Sequence, residues 1–282
     1  MRNLVKVPGF LQCVEVLQQT APACDHVPMD TIKGYIFDLD GTLYMNNQLL
    51  PGASELLCKL KEKHIPYVFV TNTTSKSVSE ILEHLATMGI GATAKDLITP
   101  VDILTKYLQR KGVRRISIEE SPALQKSFPD FEISDEPEVV ILAEGGSGLD
   151  YTVVNRVMNN AMGGAEVVAL IRNKYYARED GLVADLGFYV AGFEYVLGKK
   201  IPVFGKPSRP MFTAAMKKLR IGEPSSVAVV GDDIEFDILG AQEHGFQGFL
   251  VTTGKYRLGI EDSYSQKPTR IIKGVVSLLD EL

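Results

Sequence analysis

Gly34-Tyr35-Ile36-Phe37-Asp38-Leu39-Asp40-Gly41-Thr42-Leu43 decides how this chain is to be read. Its first four residues form a short apolar run, the pattern of a strand buried on both faces. Two carboxylates, two residues apart, follow at its mouth. Charges in such a place are costly unless compensated, and a divalent cation is the usual compensation. Gly41 lets the chain turn sharply, so Asp38 and Asp40 can converge on one point instead of alternating across a strand. Taken alone, the string reads equally well as a strand end with solvated Asp residues before a turn. Three further stretches separate the two readings.

In Val68-Phe69-Val70-Thr71-Asn72 an apolar strand again ends in small polar groups. A hydroxyl and an amide at a strand tip can hold phosphate oxygens together with backbone N–H groups, although Thr-Asn also commonly caps a strand. Ile201–Phe204 runs into Gly205-Lys206-Pro207-Ser208. A fixed ammonium there can neutralise a phosphoryl group and carboxylates, whereas Lys206 in isolation would read as a surface lysine. Val227-Ala228-Val229-Val230-Gly231-Asp232-Asp233 precedes Asp237 and Gly240-Ala241. Helix capping explains one of these three carboxylates but not the cluster, and Asp237 is expected near a helix start, where the dipole favours it.

Around these stretches the pattern alternates. Strands are expected at 34–38, 66–71, 96–99, 114–118, 138–143, 166–171, 201–204, 226–230 and 247–251. Helices are expected at Ala53–Lys63, at Ser77–Met88 with Gly89 as its stop, and from about Asp150, while Leu278, Leu279 and Leu282 read as a C-terminal helix packing on the sheet. Strand–helix alternation gives an α/β fold with a mostly parallel, doubly wound sheet. In such a sheet the C-terminal strand ends share one edge, where ligands bind. Asp38, Asp40, Thr71, Asn72, Lys206, Asp232, Asp233 and Asp237 are therefore expected at one site, an acidic metal cage beside a cationic, hydroxyl-bearing pocket of phosphate size.

Composition bounds the alternatives. The chain has 282 residues, 45% hydrophobic and 23% charged, enough for two modest domains of an ordinary soluble protein. A net charge of −5 gives no footprint for nucleic acid, and no apolar run approaches membrane-spanning length. Cys13, Cys24 and Cys58 have no paired or metal-like spacing, which points to a reducing, cytoplasmic setting. Phe10, Leu11, Val14 and Leu17 fall near helical spacing, so 1–29 reads as an extension packing on the body rather than a targeting peptide. Glu144-Gly145-Gly146-Ser147-Gly148 lacks the Lys-Ser/Thr end of a P-loop and reads as a connection. His64, His84 and His244 have no partner spacing and read as helix or surface residues.

With these motifs in this order, the chain from about Ile32 to Tyr256 resembles the haloacid dehalogenase superfamily of phosphatases. The interval between Asp40 and Thr71 is too short for a domain, while that between Asn72 and Lys206 can house one. This resembles the C2-capped branch, which includes p-nitrophenyl phosphatases. Thr71-Asn72-Thr73-Thr74-Ser75-Lys76, Lys174-Tyr175-Tyr176, Asp180-Gly181-Leu182, Phe193-Glu194-Tyr195, Gly240-Ala241-Gln242 and Thr253-Gly254-Lys255-Tyr256 look closer still to the group containing phospholysine phosphohistidine inorganic pyrophosphate phosphatase.

The resemblance implies a Rossmann-like core at 30–103 and 203–282 with an inserted α/β C2 cap at 104–202. It implies Asp38 as nucleophile, forming an aspartyl-phosphate, and Asp40 as general acid and then general base. Mg²⁺ would be held by Asp38, the backbone carbonyl of Asp40, and Asp232. Leu39, Thr71, Asn72 and Lys206 would bind the phosphoryl group, with Lys206 also counted as catalytic. Asp233 and Asp237 would support these groups, Asp237 by orienting Lys206 or a metal-bound water. In the cap, Arg172, Asn173 and Lys174 are candidates for substrate contact, as are Tyr175 and Tyr176, which read equally well as cap core. The expected partner is a small phosphorylated metabolite, with no nucleic acid and no membrane; homodimerisation stays open. Hydrolysis of pyrophosphate or of a P–N bond on the same site, or phosphometabolite binding without catalysis, are the alternatives.

Overall fold

The computed structural model describes residues 28–282 apart from 120–121, 146–147 and 179–180. The helix expected near Phe10 in the extension, and Gly146, Ser147 and Asp180, lie outside the described residues. From β1 (Gly34–Phe37) the chain forms a hairpin of two-residue strands, β2 (Tyr44–Met45) and β3 (Gln48–Leu49). Then come α1 (Ala53–Glu62), β4 (Tyr67–Val70), α2 (Val78–Thr87), β5 (Leu97–Ile98) and α3 (Pro100–Lys111). A second layer holds β6 (Arg115–Glu119), β7 (Glu132–Ile133), β8 (Val139–Leu142), α4 (Tyr151–Met162), β9 (Glu166–Ala169), the hairpin strands β10 (Tyr175–Arg178) and β11 (Gly181–Ala184), and α5 (Leu186–Leu197). The chain returns through α6 (Arg209–Leu219), β12 (Val227–Gly231), a π-helical turn Ile234–Leu239 leading into α7 (Gly240–Gln242), β13 (Gln247–Val251) and β14 (Arg270–Ile272).

Six strands form a parallel sheet in the order β14-β13-β12-β1-β4-β5. The chain builds outward from β1 to β5, leaves for the second layer, and re-enters on the other side of β1. The order therefore reverses between β1 and β12, and their C-terminal ends frame the ligand crevice of an open α/β sheet. The second layer is a smaller parallel sheet, β7-β6-β8-β9. All four residues of β1 are buried, as a central parallel strand requires. They alternate between faces: Tyr35 and Phe37 join one apolar cluster with Leu56, Leu57, Leu60 and Phe249, while Ile36 joins another with Val68, Leu104, Ile141 and Phe212. The second cluster runs from the large sheet into the small one, and Leu104 and Leu108 of α3 belong to it. The expected division at 103/104 falls inside that helix.

Local chemistry sets the helix starts. Ser77 with Glu80 and Thr99 with Asp102 each form a capping box, and Pro100 occupies the first turn of α3, where its missing N–H costs nothing. Two expected elements differ. The strand expected at 201–204 is reduced to a single bridge between Val203 and Ala169, because Pro202 has no N–H to donate. Leu278 and Leu279 lie in a 3₁₀ helix, Val275–Glu281, which Leu282 follows, with Leu278 buried against α1 and the Lys59 ammonium donating to the Leu279 carbonyl at 2.5 Å. Among the described residues no helix is long and apolar enough to cross a membrane.

Phe249, on β13 one strand in from the edge of the large sheet, is fully buried. Phe249→Ala is expected to destabilise the fold by about 3–5 kcal/mol, read as a lowered urea midpoint.

Candidate active site

Asp38 continues the β1–β12 ladder by donating its N–H to the Val230 carbonyl at 2.9 Å, and its side chain stands at the crevice. The chain then folds on itself: the Leu43 N–H bonds the Leu39 carbonyl at 2.9 Å and the Gly41 N–H bonds the Tyr44 carbonyl at 2.7 Å. Leu39, fully buried, anchors this turn. Gly41 has φ +83°, and a Cβ there would lie 2.2 Å from Oδ2 of Asp232. Gly254, from the loop after β13, approaches the same oxygen from its own side, where a Cβ would lie at 2.0 Å. Only two glycines let both loops close on the Asp232 carboxylate. That oxygen also accepts the Lys255 N–H at 2.7 Å, while Thr253 Oγ1 donates to the Gly41 carbonyl at 2.5 Å.

Lys206 lies at the centre, 4% exposed. Its ammonium is 2.5 Å from Oδ1 of Asp38 and 2.5 Å from Oδ1 of Asp237. Burial alone would lower its pKa; the charges of Asp237 and Asp38 outweigh that and hold it firmly protonated. Asn72 fixes the backbone that carries it, accepting the Lys206 N–H at 2.7 Å on Oδ1 and donating to the Lys206 carbonyl at 3.3 Å. Thr71 is buried beside it, its hydroxyl 2.8 Å from that of Thr73.

Asp38, Asp232 and Asp237 are all buried, with carboxylate oxygens within 4.8 Å of one another. Three carboxylates against one ammonium leave surplus negative charge in a site nearly closed to water. Desolvation first, and Asp38 second, raise the pKa of Asp232; desolvation also raises that of Asp237, against the pull of Lys206. Burial and the all-oxygen donor set fit one hard divalent cation, whose two charges would balance the group. Asp40 lies outside that cluster. It is exposed as a residue, yet its carboxyl is partly desolvated; that, then the charge of Asp38, raises its pKa above the usual carboxylate range.

The remaining expected residues separate. Asp233 caps the π-helical turn, accepting the N–H groups of Glu235 and Phe236, and pairs with the Lys255 ammonium at 3.0 Å. Of the cap candidates, Asn173 reaches the site, its Oδ1 accepting from Asn72 at 3.4 Å. Arg172 makes a two-pronged bond to Glu194 at 2.8 Å, which pulls the Glu194 pKa down to about 2. Lys174 pairs with Glu235 at 2.6 Å, and the Tyr264 hydroxyl donates to the same carboxylate oxygen. Tyr175 is exposed on β10 and is not cap core. The bracing by Thr253, Gly254 and Lys255 was not legible as chemistry, since their strand ends in Thr252-Thr253 with no carboxylate beside them.

Two family models match this chain, one described as haloacid dehalogenase-like hydrolase over residues 35–133 and one as HAD-hydrolase-like over 203–278. A haloacid dehalogenase-like hydrolase domain-containing protein 2 from Bos taurus is 32% identical over 239 residues, covering 84% of this chain and 90% of that protein. The chain belongs to the haloacid dehalogenase-like hydrolases. A phospholysine phosphohistidine inorganic pyrophosphate phosphatase from Rattus norvegicus is 30% identical over 237 residues, covering 82% of this chain and 86% of the relative. Among solved structures, a 4-nitrophenylphosphatase from Thermotoga maritima superposes with a TM-score of 0.81 at 28% identity, covering 90% of this chain and 99% of that one. NagD from E. coli K-12 superposes at 0.75 and 27% identity, covering 87% and 98%. This chain is thus an enzyme of that family, with phosphatases among its relatives by sequence and by structure.

Lys206→Met removes the one cation from two buried carboxylates and is expected to cost about 3–5 kcal/mol in urea unfolding. Near neutral pH, Mg²⁺ should raise the Tm of the wild type. Asp232→Asn should lose most of that rise and leave the metal-free protein no less stable, because it removes one of the repelling charges.

Proposed function

We propose that this hydrolase is a Mg²⁺-dependent phosphatase of small phosphorylated metabolites, acting through an aspartyl-phosphate on Asp38. The observation that carries this reading is the Asp38–Lys206–Asp237 cluster at the sheet's reversal point, with Asp40 two residues away under a raised pKa. One Asp38 oxygen attacks phosphorus, and the bond to the leaving oxygen breaks. Asp40, protonated, gives its proton to that oxygen. In the second half Asp40 takes a proton from water as the water attacks phosphorus and frees Asp38. The Lys206 ammonium, the Thr71 hydroxyl and the Asn72 amide hold phosphoryl oxygens, joined by backbone at Leu39. Asp38, the Asp40 carbonyl and Asp232 would hold the cation, which when bound offsets repulsion between the anionic nucleophile and the anionic phosphate. Asp237 orients Lys206, and Asp233 fixes the turn that carries Asp237.

We assign 30–103 and 203–282 to the catalytic core and 104–202 to a cap that covers the crevice and excludes water, with Asn173 of that cap bonded to Asn72. The reducing cytoplasm suits a chain whose three cysteines have no paired spacing. Likeness to a phospholysine phosphohistidine inorganic pyrophosphate phosphatase supports a second reading, in which the same displacement cleaves a P–N or anhydride bond.

Hydrolysis of p-nitrophenyl phosphate and of an alkyl phosphate, with and without Mg²⁺, tests the proposal. Asp38→Asn should show no turnover, and retention of wild-type activity would remove the covalent route. Asp40→Asn should lose about 10²–10⁴-fold in kcat on the alkyl phosphate and less on p-nitrophenyl phosphate, whose leaving group needs no proton. Since the acid form of Asp40 is required, kcat/KM for the alkyl ester should fall as pH rises past its raised pKa, and Asp40→Asn should flatten that limb.

A further inference from the structure

Asp40 opens onto a cleft of about 380 Å³ walled by the core alone. Its other walls are the turn between β2 and β3 (Asn46, Asn47), the loop after β4 (Thr73, Lys76) and the face of α2 (His84). None of these was given a role above. The cleft is continuous with the phosphate-holding residues, because Thr73 bonds Thr71 through both its hydroxyl and its N–H. It is also a built cavity. Asn46 and Asn47 have φ of +50° and +62°, the left-handed pair of a tight hairpin turn, a conformation asparagine tolerates better than most residues. The turn is held over α2 by Tyr44, whose ring meets the edge of His84 with centroids 5.3 Å apart.

The charge in this cleft is uneven. Lys76 is exposed and, among the described residues, has no carboxylate within ion-pair distance. The acid closest to it in the chain, Glu80, is engaged by the N–H and hydroxyl of Ser77, both at 2.7 Å. The amides of Asn46 and Asn47, the hydroxyl-bearing Tyr44, Thr73 and Ser75, and the Lys76 ammonium therefore line the space next to the catalytic acid, with Ile81 as an apolar part of the wall. Asn46, Asn47 and Lys76 are exposed and water can serve them, so an apolar leaving group gains nothing from Lys76, whereas an anionic substituent gains a charge-assisted partner there.

We propose that this cleft receives the leaving group, and that it selects phosphate esters whose leaving group carries a second anionic oxygen group, carboxylate or phosphate, paired with Lys76. The inference rests on Asp40 being the proton donor, since the leaving oxygen must then lie at the cleft's edge. The contact persists from bound substrate to transition state, so it acts mainly on KM.

Three esters on one carbon chain test it: 3-phosphooxypropanoate, propane-1,3-diol bisphosphate and the control propane-1,3-diol monophosphate, which lacks the second anion. In wild type, kcat/KM for one or both anionic esters should exceed the control by about tenfold or more, chiefly through KM, and the larger ratio identifies carboxylate or phosphate as the preferred group. Lys76→Gln should bring that ratio to within about threefold, and Lys76→Arg should restore most of it. Turnover of all three esters at similar kcat/KM by wild type, or a preference that survives in Lys76→Gln, would overturn the assignment while leaving the phosphatase reading intact. Folded, Mg²⁺-loaded wild type that cleaves none of them, nor p-nitrophenyl phosphate, would overturn that reading and this inference with it.

Discussion

A single ammonium inside the protein, that of Lys206, organises the crevice. It touches Asp38 from β1 and Asp237 from the turn after β12, and its backbone is clamped by Asn72 from the end of β4. Three strand ends are thereby referred to one charge. A buried lysine with no partner would lose its proton or unfold its surroundings; two buried carboxylates facing each other without a cation would do the same. Each half is tolerable only because of the other. The constraint explains why residues distant in the chain must arrive together, and why the crevice sits where the strand order reverses, the one place where β1 and β12 are neighbours fed from opposite directions.

The same electrostatics set the shape of the neighbouring loops. Asp232 has no ammonium of its own within the cluster. Its Oδ2 is instead approached by backbone, from Gly41 on one side and Gly254 with the Lys255 N–H on the other. Backbone can come this close only without side chains, so the charge problem at Asp232 is translated into two glycines and left-handed dihedrals. Lys255 serves twice, with its N–H on Asp232 and its ammonium on Asp233, so the loop after β13 is tied to both carboxylates of the motif.

How much of this was legible follows from the range of each interaction. Asp38, Thr71 and Asp232 could be read because each follows its own apolar strand of the large sheet directly, and strand ends in a parallel sheet share an edge; Lys206 was read from an apolar run that pairs with β9 of the small sheet through one bridge only. The hairpin β2–β3 escaped because strands of two residues have no room for alternation, and its Asn-Asn turn matters only through what it faces. Pro202 signals the break, but the apolar residues around it carried the strand reading. His84 and Lys76 are uninformative by spacing: His84 acquires meaning when α2 turns it toward Tyr44, and Lys76 when the capping box removes Glu80 from reach. Arg172, expected at the substrate, is instead held by Glu194, one turn before the end of α5, a pairing no local pattern announces.

The two layers are joined unevenly. Away from the crevice the join is apolar and extensive: Ile36, Val68 and Val70 of the large sheet share one buried cluster with Ile118, Ile141 and Val168 of the small sheet. The chain from Pro202 to Gly205 adds backbone bonds along the end of β9. At the crevice the polar contacts across the join include, among the described residues, a 3.4 Å amide contact between Asn72 and Asn173 and the ion pair of Lys174 with Glu235, whose side chains are 64% and 29% exposed. Ion pairs this exposed contribute about 1 kcal/mol or less. The apolar join therefore holds the two layers together more strongly than the rim does on the side where Asn173 meets Asn72. The cleft beside Asp40 takes no part in that rim, since its lining residues all lie between Asp40 and His84.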